Sequence, residues 1–450
     1  MVFNSGSFRE WSAALIANMM VFGLGTVTVW VSACRHYFNS SNPPLGPVSK
    51  DYISWTGSIP FLTAVSGLFI WGNLSERLGR KPTGFILGVP YTLMYAMMCV
   101  SHNQTVVLVA RAIGGFANVG CIMCVTLYVK EISSFKSRDK LTNILSVAVV
   151  SGSLVVMILS SFLSYDVLHR CLLVWCIAYL VLFAFLPETP VYYIKQKDLV
   201  RAKQSLEWLR QTQDQTLLNQ EIEDLRHTFI STSSIGFLDI FFNKYYLKTM
   251  LIGVFLQTCI YNVTGFSIFI AYSSQIFEEV SQDVTHISWM NITFAALELA
   301  GTLLTFLVSD LFGRRTYIVS SSFVLSAILF SLFLHQSLHL HSLNGVAVGL
   351  IYAFIVIFFA FCFPIMYIYF HEIISSESSN HIFTIMMFGK NLIWFGFIKV
   401  FYVVEEMVGI GGIFLLFSIG TLFIGLMTLT FPETKNKTIQ ALHSELLLTK

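Results

Sequence analysis

The sequence predicts an all-α membrane protein with twelve transmembrane helices in two pseudo-symmetric six-helix halves. Three observations predict it. The 450 residues are 55% hydrophobic and only 12% charged, with a mean hydropathy of +0.71, whereas a soluble domain carries about 25% charged residues. Apolar runs of span length follow one another along nearly the whole chain, and a helix needs about 20 such residues to cross a bilayer. Short charged motifs recur in one order. Arg80 matches Arg314 at an offset of 234 residues, Glu131 matches Glu372 at 241, and Glu188 matches Glu433 at 245. Three motifs in one order at a nearly constant offset mark a duplicated unit.

The spans are expected at Trp11–Ala33, Ile53–Trp71, Thr83–Val100, Val106–Val129, Leu141–Ser164 and Cys171–Leu186 in the first half. In the second they fall at Met250–Tyr272, Ile287–Val308, Tyr317–Leu334, Gly345–Phe370, Ile382–Val404 and Ile410–Phe431. An even number puts both ends on one side. Arg77, Arg80, Lys81, Lys130, Lys136, Arg138, Lys140, Arg314 and Arg315 sit in turns on that side, against Arg35, Lys50 and Arg170 opposite. The positive-inside rule then places both termini in the cytoplasm.

The domain division reads as 1–187 for the first half, 188–248 for a cytoplasmic helical linker, 249–432 for the second half and 433–450 for a cytoplasmic tail. Within the linker, Leu199, Leu206, Leu209, Leu218 and Leu225 recur at helical spacing in a polar stretch, which predicts amphipathic helices. Ser231–Ser234 reads as a flexible hinge, with a phosphorylation target as the alternative. Asn39 and Asn103 head glycosylation sequons in exterior loops, Asn39 in the longer one.

A net charge of +2 argues against nucleic acid as a partner. The eight cysteines are scattered through apolar runs, so Cys121 and Cys124 read as helix packing. His335, His339 and His341 crowd one loop without further ligands, so no metal site is expected. No phosphate loop, nucleotide fingerprint or nucleophile motif is present, so neither an enzyme nor a cofactor is predicted. A two-fold-repeated set of spans is the architecture of a secondary transporter.

The repeated turns carry a resemblance. Gly72–Lys81 contains Glu76, Arg77, Arg80 and Lys81; Val308–Arg315 contains Asp310, Arg314 and Arg315. Arg111 and Tyr128–Glu131 on the fourth span, Arg138 after it, Pro187–Pro190, Trp208, Gly265, Tyr272–Phe277 and Pro432–Thr438 complete the pattern. Together they resemble the sugar porter family of the major facilitator superfamily, nearest its facilitated trehalose transporter-like branch. The resemblance implies the major facilitator fold and facilitative transport of a sugar (a hexose or a disaccharide such as trehalose) or a polyol, by a monomer in the lipid bilayer of the plasma membrane. It also implies a cytoplasmic gate of Glu76, Arg77, Arg80, Lys81, Glu131, Arg138, Glu188, Asp310, Arg314, Arg315, Glu372 and Glu433. Charge-assisted hydrogen bonds across helix ends would hold that gate and link the halves.

The substrate positions depart from the family. Tyr261 and Asn262 stand where it has two glutamines, Ser267 where it has asparagine, Met157 where it has glutamine, and Tyr367 in place of its aromatic residue. Asn391 is kept, followed by Leu392. Glu298 falls where the family has an amide facing sugar, and a carboxylate among apolar neighbours loses hydration when charged. Lys390 and Lys399 are further charges within the eleventh span. Tyr261, Asn262, Ser267, Glu298, Tyr367 and Asn391 are therefore the candidate solute contacts. Two other readings stay open: a non-transporting, nutrient receptor-like relative, and a proton-coupled carrier of an organic solute using Glu298.

Overall fold

The computed structural model describes residues 5–134, 136–229, 239–374, 379–437, 442 and 445. The hinge at Ser231–Ser234 and most of the tail from 438 onward lie outside them. The first six spans are α1 (Ser5–Phe38), α2 (Lys50–Leu78), α3 (Arg80–Val100), α4 (Gln104–Ile132), α5 (Arg138–Phe162) and α6 (Tyr165–Ala184). Three shorter helices follow: α7 (Pro190–Lys195), α8 (Leu199–Arg210) and α9 (Gln215–Phe229). Then come α10 (Asp239–Phe242), α11 (Lys244–Asn262), α12 (Phe266–Ser281), α13 (Ile287–Val308), α14 (Arg314–Ser337) and α15 (Asn344–Ile357). A π-helical turn at Phe358–Cys362 leads into α16 (Phe363–Ile373), and α17 (Ser379–Thr428) is the last described helix.

Eleven helical stretches among the described residues are long and apolar enough to cross a membrane, and the chain is a multi-pass integral membrane protein. The twelfth span is inside α17. Straight, its 50 residues would run ~75 Å at ~1.5 Å per residue, far beyond a ~30 Å bilayer core. Gly409, at φ 70° and ψ 170°, breaks it where the sequence separates Ile382–Val404 from Ile410–Phe431. Pro364 explains the other irregularity. It has no N–H for the carbonyl of Ala360 four residues back. The Thr305 hydroxyl donates there instead, at 2.8 Å to the Phe359 oxygen and 3.3 Å to that of Ala360.

The chain divides into two compact units. The first comprises Met1–Val27, Ile59–Gly152 and Leu163–Ser233. There α2 and α4 pack closely enough that a β-carbon on Gly115 would stand 2.3 Å from the Pro60 backbone, the small-residue packing expected where no water drives helices together. The linker helices build their own core from Val191, Ile194, Ala202, Leu206, Leu218, Ile222 and Leu225. Leu199 departs from the expected stripe. It opens α8 behind the Asp198 cap, whose carboxylate accepts from the Arg201 N–H, and is exposed.

The second unit comprises Thr28–Ser58, Ser153–Phe162 and Ser234–Lys450. Its interior is aromatic. Phe266 stacks on Phe358 with ring centroids 4.4 Å apart, and Phe359 and Phe363 complete the cluster beside Tyr261.

Candidate functional site

In the first unit the repeated turn is built around one carboxylate. The first N–H groups of any helix lack partners and attract an anion. At the start of α3 the Glu188 side chain accepts from the Arg80 N–H at 3.1 Å, the Lys81 N–H at 3.0 Å and the Thr189 N–H at 2.7 Å. Glycine is required beside it: a β-carbon on Gly79 would lie 2.2 Å from Glu188 Oε2, and Gly79 has φ 104°. Arg80 is 1% exposed. Its guanidinium donates to Glu131 at 2.9 and 3.1 Å, to Glu76 at 2.9 Å and to the Ser75 carbonyl at 3.1 Å. The Thr189 hydroxyl donates to the other Glu131 oxygen at 2.5 Å.

The second unit repeats the design less completely. Glu433 accepts from the N–H groups of Arg314, Arg315, Thr434 and Lys435 at 2.8, 3.4, 3.0 and 3.2 Å. A β-carbon on Gly313 would stand 2.1 Å from Glu433 Oε2. Arg314 donates to Glu372 and Asp310, both at 3.1 Å, and to the Ser309 carbonyl at 2.8 Å. Among the described residues Thr434, the counterpart of Thr189, has no partner for its hydroxyl, and neither has Glu372 Oε2. The two capping carboxylates also titrate differently. Burial pushes Glu188 above the ordinary carboxylate range against its backbone donors. Burial raises Glu433 too, but its four N–H donors outweigh that and hold it below.

Each network closes on itself: the partners given for Arg80 belong to the first unit, and those given for Arg314 to the second. Each arginine is occupied by carboxylates of its own repeat. The Arg77 and Lys81 side chains have no polar partner among the described residues, although Tyr192 donates to the Arg77 carbonyl. Arg315 donates to the Phe431 carbonyl, and Arg138 lies near Lys130.

Two of the solute candidates, Tyr261 and Tyr367, meet in the second unit beside a break between α11 and α12. The helix stops at Asn262, turns through Gly265 at φ 83°, and restarts at Phe266. A β-carbon on Gly265 would lie 2.4 Å from the Phe417 ring, so only glycine lets the chain pass. Interrupted spans of this kind free backbone and side-chain groups for a solute. Tyr261 and Tyr367 face each other with hydroxyls 3.1 Å apart, and Gln257 donates to the Tyr367 hydroxyl at 2.9 Å. Gln257 Oε1, Thr258 Oγ1, Asn262 Oδ1 and Ser267 Oγ are buried and have no partner among the described residues. The Asn262 and Asn391 amides donate to the carbonyls of Thr258 and Met387, each four residues back. Glu298 is buried, with one carboxylate oxygen unpartnered. Tyr261 and Tyr367 are thus in contact; for Ser267, Glu298 and Asn391 no contact with that pair is found.

Sequence reasoning missed Gln257 and Trp394. Gln257 lies four residues before Tyr261, one turn back on the same helical face, and Trp394 packs its ring 5.3 Å from that of Tyr261. It also missed a second polar cluster in this unit. The Ser32 hydroxyl lies 2.6 Å from that of Ser273 and 2.9 Å from that of Ser274, and Asn291 bonds to both Ser273 and Ser274. Lys399 pairs with Asp51, Arg35 with Glu278, and Lys50 with Glu405 and Glu406. Ser273 and Ser274 lie within the Tyr272–Phe277 motif, but Ser32, Asn291 and the charges at span ends belong to no motif, so nothing in the sequence joined them as a set. Asn39 is exposed, while Asn103 caps α4 by accepting from the Thr105 N–H.

Comparison with known proteins agrees with the geometry. A family model described as "Sugar (and other) transporter" matches residues 13–446. The chain is 26% identical to the facilitated trehalose transporter Tret1 of Apis mellifera ligustica over 71% of its own length and 63% of that protein's. It is 25% identical to Tret1 of Bombyx mori over 89% of its length and 80% of the relative's. Among solved structures it is similar to the xylose transporter XylE from E. coli in an inward open conformation, with a TM-score of 0.81, 18% identity, and coverage of 97% and 99% of the two chains. At that identity the likeness shows the fold alone, which is the expected one of twelve helices.

Proposed function

We propose a transport function from one premise: this chain belongs to the sugar (and other) transporter family. In this reading it is a facilitative transporter of a sugar or polyol, and it works by alternating access. The sequence halves 1–187 and 249–432 are the duplicated bodies, joined by the linker 188–248. Both termini face the cytoplasm and the chain resides in the plasma membrane as a monomer. The relatives named as trehalose transporters support a sugar as solute.

The observation that carries the proposal is the interrupted span. Just before the break, α11 holds Gln257 and Tyr261 in one hydrogen-bonded set with Tyr367, and buried acceptors on Gln257 and Asn262 are unfilled among the described residues. Unfilled buried polar atoms cost free energy unless a ligand meets them, and ring faces beside hydrogen-bonding groups are what a sugar surface requires. In this reading Ser267, Asn391 and Glu298 complete the solute surface. The Arg80 and Arg314 networks hold the helix ends of each repeat, and the gate is formed by their outer members, Arg77, Lys81, Arg138 and Arg315 with Glu76 and Asp310. Asn39 and Asn103 are the candidate glycan sites, Asn39 the better for its longer loop and exposure.

Uptake of radiolabelled D-glucose, trehalose and myo-inositol into proteoliposomes tests the proposal. Saturable uptake of at least one supports it. Uptake at the rate of protein-free vesicles for all three counts against a neutral sugar or polyol as the solute. A second reading rests on Glu298, whose burial without a full set of partners suits a proton carrier. It requires solute accumulation driven by an imposed proton gradient, lost in Glu298→Gln.

A further inference from the structure

The least explained charge in the second unit is Lys390. It is 4% exposed, and its ammonium lies 4.6 Å from the Tyr261 ring centroid and 5.6 Å from that of Trp394. Among the described residues no carboxylate pairs with it, although five other basic side chains of this unit have acidic partners. A buried cation is ordinarily paired. Two aromatic faces attract it through their quadrupoles, but they do not neutralise it. The cation therefore sits on the rings of the solute cluster, and nothing in that cluster cancels its charge.

We propose that this cluster takes an anionic polyol, a sugar acid with one carboxylate, and that Lys390 is the counter-ion. The proposal rests on the transport reading above and narrows its solute class. The remaining groups suit the rest of such a molecule. Gln257, Tyr261 and Tyr367 offer donors and acceptors to hydroxyls, and Asn262 offers an acceptor. When a carboxylate draws the ammonium away, the Tyr261 and Trp394 faces become free to lie against the C–H face of the sugar ring. A carboxylate fits better than a phosphate. Lysine is one compact point charge without the fork of an arginine, whereas a phosphate brings about −1.5 to −2 charges and three acceptor oxygens.

The test compares radiolabelled D-glucuronate with neutral D-glucuronamide in proteoliposomes of the full chain, with D-glucose and D-glucose 6-phosphate alongside. The expected result is a preference for glucuronate over glucuronamide of at least about tenfold, as for other desolvated charge pairs. Lys390→Met should bring that ratio to about one, and Lys390→Arg should keep most of it. The wild-type comparison decides the matter even if the variants do not fold. Transport of glucose and glucuronamide without glucuronate overturns the sugar-acid assignment and leaves the transport reading standing. A preference for glucose 6-phosphate overturns the choice of carboxylate. Uptake of none of the four overturns the transport reading and the assignment with it.

Discussion

Glu188 lies so close over Gly79 that a methyl group at position 79 would stand 2.2 Å from its Oε2. The contact joins two motifs 109 residues apart in the chain. The glycine before the paired cations and the glutamate after the sixth span are one device: a carboxylate seated on the N-terminus of α3. The same pair recurs as Gly313 and Glu433, at 2.1 Å.

Gly79→Ala should therefore destabilise the protein more than Gly313→Ala. Both displace a capping carboxylate, but only Gly79 also has a φ of 104°, a conformation that strains any other residue. Strain plus lost hydrogen bonds predicts a loss of ~2–4 kcal/mol for Gly79→Ala. The measurement is the midpoint of thermal unfolding in detergent; equal midpoints for the two variants would contradict the assignment.

Thr189→Val should be costly where Thr434→Val is not. The Thr189 hydroxyl donates to the buried Glu131 carboxylate and also caps α7, whereas Thr434 has no partner for its hydroxyl among the described residues. The expected losses are ~1.5–3 kcal/mol for Thr189→Val and under ~0.5 kcal/mol for Thr434→Val. Thr189→Ser should restore most of the stability in the same unfolding assay.

Glu188 and Glu433 should respond to acid in opposite senses. Glu433 is held below the ordinary glutamate value of 4.5. Its stabilisation is present above that value and is lost as pH falls through the folded one. Glu188 is held above 4.5, so its contribution is present at low pH and is lost as pH rises through the folded value. Thermal midpoints across about pH 2.5–7, a window that spans the usual carboxylate range, should show wild type gaining on Glu433→Gln as pH rises to 4.5. Over the same window wild type should lose ground to Glu188→Gln. Parallel curves would show that the two caps are equivalent.

Ser32 and Ser273 should cross-link when both are cysteine, since their Oγ atoms are 2.6 Å apart and a disulfide needs close β-carbons. If alternating access opens this cluster, oxidation of Ser32→Cys/Ser273→Cys should stop transport and reduction should restore it. Undiminished transport by the bridged protein would show that these serines stay together throughout the cycle.

Much of this was legible in the sequence because it rests on repetition and periodicity. The duplicated turns located Arg80, Glu131 and Glu188 with their counterparts, and each proved to be a contact partner within its repeat. The last boundary was legible too, since the gap expected between Ile382–Val404 and Ile410–Phe431 holds Gly409, where the long helix breaks. The role of Gln257 was not legible. It stands one turn before the positions where the family pattern places its amides, and only helix geometry brings it to Tyr367. Lys390 was visible as a charge in a span, but its ring partners are set by tertiary packing.

The Tyr261–Tyr367–Gln257 set is the centre of the functional account, and Tyr367→Phe tests it most directly. The substitution removes one hydroxyl, leaves Gln257 and Tyr261 without their shared partner, and keeps the ring. The measurement is counterflow of radiolabelled solute in proteoliposomes, using whichever of glucose, trehalose, myo-inositol and glucuronate the wild type carries fastest. The account predicts a fall of about tenfold or more with an unfolding midpoint close to that of wild type. Counterflow at the wild-type rate would contradict it.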